Sequence, residues 1–226
     1  MKCDICAHEA ITYIRYNGTH LCSEHFTKFV EKRVKKEIRR QVNLHPGDVV
    51  AVAVSGGKDS MVTLHLLHSI LGERRDIEIQ CITIDEGIDG YRPESIDLVK
   101  KFCADRGIKY NQVSFSERFG MTMDEVAPMS GNNTPCTYCG VFRRNAMNDA
   151  ARKINATCLA TGLNLDDTAQ SIMMNFTRGD VERLIRLGPH KKIQPGLIPR
   201  IQPLRMIPEK ESLLYAIAAG IPYHDG

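Results

Sequence analysis

Short apolar runs alternate with segments of helical apolar spacing along most of this chain. Four short runs are predicted as strands, the first of them rich in β-branched residues: 48–54, 77–84, 109–115 and 156–160. Helical spacing occurs at residues 61–71, 93–105, 141–154 and 168–176. Alternation of this kind predicts an α/β fold with a doubly wound parallel sheet.

The sequence divides into three regions. We predict a small N-terminal metal knuckle in residues 1–26, a basic connecting helix in residues 27–44 and one α/β domain in residues 45–226. Residues 116–134 contain three methionines and two glycines without a clear period, which indicates a mobile loop at the active site.

Composition sets broad limits on compartment and partners. Five of the eight cysteines fall in CxxC or CxxH pairs, which favours a reducing intracellular compartment with metals over a disulfide scaffold. No apolar stretch approaches eighteen residues, so a soluble cytoplasmic protein without a membrane partner is expected. The net charge is +3, but seven lysines and arginines lie between residues 28 and 40. This basic helix could contact nucleic-acid phosphates or be a solvated face.

The hexapeptide SGGKDS at residues 55–60 lies between the first predicted strand and a helix. There Gly56 and Gly57 let the backbone approach an anion, amides at the helix start hold phosphate oxygens, and Lys58 adds a point charge. Its spacing differs from the GxxxxGK[ST] of a Walker A loop, which argues against an ordinary kinase or GTPase. The hexapeptide resembles the PP-loop of the ATP pyrophosphatases; the alternative is a glycine turn without a ligand.

Two pairs of residues near the N-terminus have metal-ligand spacing. Fifteen residues separate Cys3 and Cys6 from Cys22 and His25, and an Asn-Gly turn between the pairs predicts a hairpin. Four such ligands suit tetrahedral zinc and leave no open position, so the role would be structural. The alternative is free or disulfide-linked cysteines.

A third cysteine pair, Cys136 and Cys139, stands before a predicted helix. A CxxC in this place can be a redox dithiol, half of another zinc site or two ligands of an iron–sulfur cluster. The other three cysteines fall in predicted strands or a helix and are interpreted as buried small side chains: Cys81, Cys103 and Cys158.

Polar or glycine residues follow three of the predicted strands. They are Ser55, Asp85 and the Thr161-Gly162 pair. Ligands in doubly wound sheets bind beyond the carboxyl ends of strands, so these residues are expected at one site.

Five ordered motifs carry a resemblance that covers essentially the whole chain. They are the CxxC-x15-CxxH knuckle, SGGKDS, DEGIDGYR at residues 85–92, PCTYCGVFRR at residues 135–144 and TGLNLDDTAQ at residues 161–170. Together they resemble the tRNA 2-thiouridine synthetases, which include archaeal and eukaryotic cytoplasmic tRNA 2-thiolation proteins and bacterial relatives that thiolate uridine 54. The cytidine-32 thiolases share SGGKDS and a CxxC but lack the knuckle.

The resemblance implies a two-step reaction on tRNA. Uridine O2 attacks the α phosphorus of ATP, pyrophosphate leaves with Mg²⁺, and sulfur then displaces AMP. The adenine would lie against main chain near Ala53 and Ile84, with Gly162 also binding ATP. Asp59 or Asp167 would hold Mg²⁺. The phosphates are assigned to Ser55, Gly56, Gly57, Lys58, Asp59 and Ser60.

The resemblance also implies that Cys136 and Cys139 ligate a [4Fe-4S] cluster with a third cysteine, leaving one iron open for sulfide. Arg143 matches a basic catalytic residue that could stabilise phosphates, and Asp167 an acidic residue for proton transfer or Mg²⁺ binding. The alternatives are a helix-surface arginine and a helix N-terminal acid. The third cysteine would lie beyond Gly226, which indicates a C-terminally truncated chain.

Several alternatives stay open. Uridine 34 is preferred over uridine 54 as the target, the sulfur donor is a ubiquitin-like carrier or free sulfide, and a homodimer is expected by resemblance. A competing hypothesis is an amide-forming PP-loop ATP pyrophosphatase, which has no use for Cys136 and Cys139. Another is a non-catalytic zinc-knuckle RNA-binding protein, which leaves SGGKDS unexplained.

Overall fold

A parallel β-sheet covered by helices makes up most of the protein. The computed structural model describes residues 1–90, 92–130, 134–187 and 195–225. The strands are β1 (Thr12–Ile14), β2 (Thr19–Leu21), β3 (Val49–Ala53), β4 (Glu78–Asp85), β5 (Lys109–Ser114), β6 (Cys158–Ala160) and β7 (Arg200–Ile201). The helices are α1 (Ser23–Gln41), α2 (Lys58–Leu71), α3 (Arg92–Ala104), α4 (Phe115–Phe119), α5 (Met123–Met129), α6 (Pro135–Lys153), α7 (Leu165–Thr177), α8 (Val181–Arg186) and α9 (Glu209–Ala218).

The five-stranded sheet has the order β5-β4-β3-β6-β7, and all of its pairs are parallel. Successive side chains of a strand point to opposite faces. Val50 and Val52 accordingly enter a core with residues of α1, α2, α3 and α9, whereas Ala51 enters a second core with residues of α4, α5 and α6. Helices therefore cover both faces, which confirms the predicted doubly wound α/β fold.

Three helices begin earlier than their apolar spacing predicts. Helix α2 begins at Lys58, α6 at Pro135 and α7 at Leu165, so each first turn is formed by a polar or mixed motif. Polar first turns carry capping and charge signals rather than an apolar stripe, which is why periodicity misses them. As a consequence, the CxxC pair lies within the first turns of α6 rather than before the helix.

The prediction of an irregular loop at residues 116–134 is wrong over much of its length. Two short helices, α4 and α5, occupy it, and the side chain of Thr122 forms a capping box with Glu125 at the start of α5. Met123 and Val126 are buried in the second core. Helices of five and seven residues are too short to show a period. Residues 131–133 lie outside the described part of the chain.

The N-terminal region combines a hairpin with a long helix. Strands β1 and β2 pair antiparallel on either side of the predicted Asn17-Gly18 turn, and Gly18 has a φ of 71°. Helix α1 starts at Ser23, directly after its N-cap residue Cys22, and ends at Gln41, so it includes His25 of the CxxH motif and excludes residues 42–44. Its apolar stripe is buried, and most of its basic residues face away from the core. The boundaries of the three predicted regions stay a prediction.

Three elements after α7 were not predicted from the sequence: α8, β7 and α9. Strand β7 has two residues, and helix α9 packs against α1 and α2.

Among the residues that the structure describes, no helix is both long enough and apolar enough to cross a bilayer.

Candidate active site at the carboxyl edge of the sheet

The SGGKDS segment leaves β3 and enters α2 at Lys58. Gly56 has a φ of +90°, and a Cβ atom there would lie 2.8 Å from Ser95 Cβ and 2.9 Å from the Ser95 carbonyl oxygen. The backbone N–H of His224 donates to the Gly56 carbonyl at 2.9 Å. Glycine is therefore required at Gly56, because a left-handed conformation coincides with close packing on α3. The first turn of α2 presents backbone amides at the helix N-terminus, as an anion site needs.

Lys58 is surrounded by carboxylates. Its ammonium nitrogen lies 3.4 Å from Asp59 Oδ1 and 3.5 Å from Glu209 Oε1, and its side chain is 17% exposed. Glu209 lies in the first turn of α9. The sequence gives no sign of this second partner, because the two residues are distant in the chain.

Asp59 is braced by two other elements. The hydroxyl of Ser212 on α9 donates to Asp59 Oδ1 at 2.5 Å, and Asn164 Nδ2 donates to Asp59 Oδ2 at 3.3 Å. Both partners are buried, Ser212 at 0% and Asn164 at 2% exposure. The loop after β3 is therefore tied to the loop after β6 and to α9. Sequence reasoning assigned no role to Asn164 or Ser212, because their contacts are long-range.

Gly162 lies directly against the loop. A Cβ atom at Gly162 would be 2.8 Å from Asp59 C and 2.8 Å from Ser60 N, both of them backbone atoms. The TG turn after β6 thus packs backbone to backbone on the first turn of α2. Direct contact between Gly162 and ATP stays a prediction.

We expect Gly162→Ala to weaken ATP binding at least tenfold and to lower the free energy of unfolding by about 1–3 kcal/mol, because the methyl group must displace backbone. Isothermal titration calorimetry and urea unfolding measure the two effects. Gly140→Ala is the matched control, since its Cβ would meet only the end of the Arg144 side chain, at 3.3 Å. Wild-type ATP affinity in Gly162→Ala would show that the close packing of Gly162 on the loop is not needed for ATP binding.

The two aspartates of the TGLNLDD motif have structural partners. The backbone N–H of Asp167 donates to Asn164 Oδ1, the Asn164 N–H donates to Asp167 Oδ2, and both distances are 3.0 Å. Asp166 Oδ2 accepts from the Glu209 N–H at 2.7 Å and so caps α9. One oxygen of Asp167 therefore belongs to a capping box, as the alternative interpretation of a helix N-terminal acid expects. A role for Asp167 in proton transfer or Mg²⁺ binding stays a prediction.

The two residues predicted to contact adenine lie at the carboxyl ends of neighbouring strands, Ala53 as the last residue of β3 and Ile84 as the next-to-last residue of β4. Ala53 is half-buried, whereas the Ile84 side chain is buried in the second core. A contact of adenine with Ile84 would therefore involve main chain, as predicted. Adenine binding stays a prediction for both residues.

The CxxC pair of α6 lies next to a charged pair. Cys136 is exposed and Cys139 is half-buried. Arg143 Nη2 donates to Cys139 Sγ at 3.4 Å, and Arg143 Nε lies 2.7 Å from Glu86 Oε1. Glu86 directly follows β4 and is 0% exposed. Arg143 is therefore an exposed arginine of α6 that also contacts Cys139 and Glu86, and catalytic roles for Arg143, Cys136 and Cys139 stay a prediction. Glu86 was missed, although its place in the DEGIDGYR motif directly after a buried strand was a signal.

The remaining core cysteines are buried, as predicted. Cys81, Cys103 and Cys158 are each 0% exposed. Burial raises the pKa of the Cys158 thiol to about 12. Thiols of this kind act as small apolar side chains.

The N-terminal ligand set converges on one point. The ligand atoms of Cys3, Cys6, Cys22 and His25 all lie within 4.8 Å of one another. Cys6 and Cys22 sulfurs are 3.6 Å apart, and His25 Nδ1 lies 3.2 Å from Cys22 Sγ. Tetrahedral zinc with bonds of about 2.0–2.3 Å separates its ligands by about 3.3–3.8 Å. Three sulfurs and one imidazole nitrogen at these distances fit a structural zinc ion.

Two family models match adjoining parts of the chain. A PP-loop domain model matches residues 28–225, and the model of the N-terminal LIM domain of the 2-thiouridine synthetase TtuA matches residues 2–27. The tRNA 2-thiolation protein NcsA of Haloferax volcanii is 39% identical over 239 residues, covering 99% of this chain and 74% of that protein. The chain belongs to the tRNA 2-thiolation family of PP-loop proteins.

Other members of the 2-thiolation family agree in fold and differ in length. The U34-tRNA thiolase NcsA from Methanococcus maripaludis, solved with its [4Fe-4S] cluster, has a TM-score of 0.90 and 38% identity, and the match covers 100% of this chain and 74% of that one. Cytoplasmic tRNA 2-thiolation protein 1 of Xenopus laevis is 36% identical over 99% of this chain. The chain spans less than two thirds of the length of several relatives, 66% in the Xenopus laevis protein and 63% in the Aedes aegypti protein.

More distant PP-loop structures show the fold alone. The NH3-dependent NAD synthetase from Campylobacter jejuni matches 89% of this chain and 75% of that one, with a TM-score of 0.55 at 15% identity.

Proposed function

We propose that this chain is an ATP-dependent tRNA-uridine 2-sulfurtransferase that produces 2-thiouridine. The observation that carries the proposal is the position of a phosphate loop and a CxxC pair at one edge of the sheet. The loop follows β3, while Cys139 is linked through Arg143 to Glu86 at the end of the adjacent strand β4. Membership of a family whose relatives are named tRNA 2-thiolation proteins supports the same activity.

The first step uses the phosphate loop. Amides of residues 55–60 and the first turn of α2 hold the phosphates of ATP, and Lys58 stabilises negative charge as uridine O2 attacks the α phosphorus. Pyrophosphate leaves with Mg²⁺, for which Asp59 and Asp167 are the proposed ligands. Because Ser212, Asn164 and the packed turn at Gly162 fix the loop, its donors are in place before ATP binds.

The second step transfers sulfur to the activated uridine with release of AMP. Cys136 and Cys139 would hold two corners of a [4Fe-4S] cluster, and such a cluster supplies a binding site for sulfide. Their thiols fit this role, because they lie one helical turn apart at the start of α6 and remain accessible from solvent. Arg143 places a cationic donor on one of the two sulfurs.

Several finer features belong to the same proposal. Uridine 34 is the preferred target, because the similar Methanococcus maripaludis protein is a U34-tRNA thiolase, and uridine 54 is the alternative. The sulfur donor is a ubiquitin-like carrier or sulfide, the enzyme acts in the cytoplasm, and it forms a homodimer. Exposed basic residues on α1 would contact tRNA phosphates: Lys32, Lys35, Lys36 and Arg39.

The decisive experiment is a thiolation assay with anaerobically reconstituted protein, unmodified tRNA, ATP and sulfide, analysed by mass spectrometry of nucleosides. We expect 2-thiouridine from the wild-type protein and none from the Cys136→Ser, Cys139→Ser variant, while both still bind ATP. Transcripts with uridine 34 or uridine 54 replaced by cytidine identify the target.

An amide-forming PP-loop enzyme would give the opposite pattern. It would release pyrophosphate in the presence of ammonia and a carboxylate substrate, and it would be indifferent to loss of Cys136 and Cys139. Absence of 2-thiouridine together with this ammonia-dependent activity would replace the thiolation proposal. Absence of ATP binding would favour a non-catalytic RNA-binding protein.

A further inference from the structure

Glu86 carries a carboxylate in a place where an unpaired charge would be costly. Its side chain is 0% exposed, and it follows β4 at the carboxyl edge of the sheet. Its backbone carbonyl accepts the N–H of Met123 at 2.8 Å, which fixes the residue at the start of α5. Burying a carboxylate costs several kcal/mol unless it is paired and hydrogen-bonded. Glu86 is paired, with Arg143 Nε at 2.7 Å.

Arg143 uses two different nitrogens for its two partners. Nε lies 2.7 Å from Glu86 Oε1 in an ion pair, whereas Nη2 donates to Cys139 Sγ at 3.4 Å. Cys139 and Arg143 are four residues apart on α6 and so lie on the same face of the helix. A guanidinium group is planar and rigid, so fixing Nε also fixes the direction of Nη2. The buried carboxylate thereby determines where the cation sits relative to the sulfur.

We infer that Glu86 is a positioning residue, which acts by holding the Arg143 guanidinium against the sulfur of Cys139. The inference rests on the proposed function, in which Cys139 is a ligand of the cluster. Hydrogen bonds and charges at ligand sulfurs tune the potential and reactivity of such a centre, and residues that orient those donors matter nearly as much as the ligands. The Arg143 side chain is 45% exposed even in this ion pair, so without Glu86 the guanidinium would be free to move into solvent.

The direction in which the midpoint potential of the cluster changes distinguishes a positioning role of Glu86 from a direct effect of its negative charge. Removing the negative charge of Glu86 would by itself make the cluster easier to reduce. If Glu86 acts through Arg143, Glu86→Ala also releases the cation nearest the sulfur, and the cluster becomes harder to reduce. We therefore expect Glu86→Ala to shift the midpoint potential downward, in the same direction as Arg143→Met.

The experiment is a double-mutant cycle of Glu86→Ala and Arg143→Met on the reconstituted protein, with midpoint potential and steady-state thiolation as readouts. We expect each single variant to lower kcat about tenfold or more with little change in the KM for ATP, and the double variant to be no worse than Arg143→Met. Glu86→Gln, which keeps a hydrogen-bond acceptor of the same shape, is expected to retain more activity than Glu86→Ala.

A second readout needs neither cluster nor activity. In protein that holds zinc but no cluster, the rate of alkylation of Cys139 relative to Cys136, measured by mass spectrometry, is expected to fall in Glu86→Ala and to fall no further in the double variant. Asp149→Ala is the matched control, because it breaks the ion pair of Arg118 with α6 without touching Cys139. It should leave both readouts unchanged.

Two results would overturn the inference while leaving the proposed function intact. One is an active wild-type enzyme in which the effects of Glu86→Ala and Arg143→Met multiply independently. The other is a rise in potential in Glu86→Ala. An inactive wild-type protein that still shows the coupled alkylation pattern would instead reject thiolation and keep the Glu86–Arg143–Cys139 arrangement. If Glu86→Ala does not fold, the cycle of Glu86→Gln with Arg143→Met decides by the coupling of the two effects on activity alone, and effects that multiply independently would overturn the inference.

Discussion

Lys58→Met is expected to reduce ATP-dependent pyrophosphate release by about 10² to 10³-fold, the typical loss when one donor that stabilises transition-state charge is removed. Lys58 is the cation of the loop that packs between α3, α9 and the turn after β6. Its ammonium group lies within 3.5 Å of two carboxylates, so replacing it leaves Asp59 and Glu209 near an incoming polyphosphate without compensation. ATP affinity should therefore fall together with the rate.

The prediction is tested by measuring the single-turnover rate of pyrophosphate release from radiolabelled ATP in the presence of tRNA. Lys101→Met, which removes an exposed lysine from α3, is the control and should behave as wild type. Thermal unfolding should show that Lys58→Met remains folded, because the ammonium group is on the surface of the site rather than in a core. A wild-type rate in folded Lys58→Met would show that this lysine of the loop does not take part in the release of pyrophosphate.

The parts of the site that could be predicted from sequence are those that local motifs encode. SGGKDS, CxxC and the TG turn each follow or begin an element, and the structure places the first and third of these against each other at the sheet edge. The doubly wound sheet follows from alternation of strands and helices, and its central strand β3 is the most apolar of the predicted runs. Local pattern was sufficient for the motifs because each lies within or beside one βα unit. It was sufficient for the sheet because the sheet is built from a repetition of such units.

The parts that could not be predicted depend on long-range contacts or on short elements. The bond from Ser212 to Asp59 joins residues 153 positions apart, and no spacing rule brings them together. The short helices α4 and α5 lack the length that a period needs. Asp167 illustrates a different limit: a motif position that suggests catalysis is also an N-cap partner, and the same residue type serves both purposes.

The knuckle and the phosphate loop meet through α9. Tyr16, in the turn of the knuckle hairpin, donates its hydroxyl to Glu211 at 3.0 Å, and Arg33 of α1 lies 3.0 Å from the same carboxylate. Burial raises the pKa of the Glu211 carboxyl. The next residue, Ser212, bonds to Asp59 of the loop. Helix α9 therefore contacts both regions in its first turn.

Loss of zinc should unfold the knuckle and leave the α/β domain folded. Cys22→Ser removes a ligand that is also the N-cap residue of α1 and is 4% exposed. Zinc contributes about 10–16 kcal/mol to small structural sites of this kind, far more than a two-stranded hairpin gains from its own packing. We expect Cys22→Ser to bind less than one zinc per chain and to lose hydrogen-exchange protection in β1, β2 and the first turn of α1.

Cys136→Ser is the control for this experiment, because that exposed cysteine lies on α6 and should leave the zinc content unchanged. Retention of one tightly bound zinc and of hairpin protection in Cys22→Ser would contradict a four-ligand site. The sheet should keep its protection in either variant, since β3 also packs against α2, α3 and α9 on one face and against α4, α5 and α6 on the other. ATP affinity is the informative second readout: because Tyr16 holds Glu211 beside Ser212, unfolding of the knuckle is expected to weaken ATP binding without abolishing it.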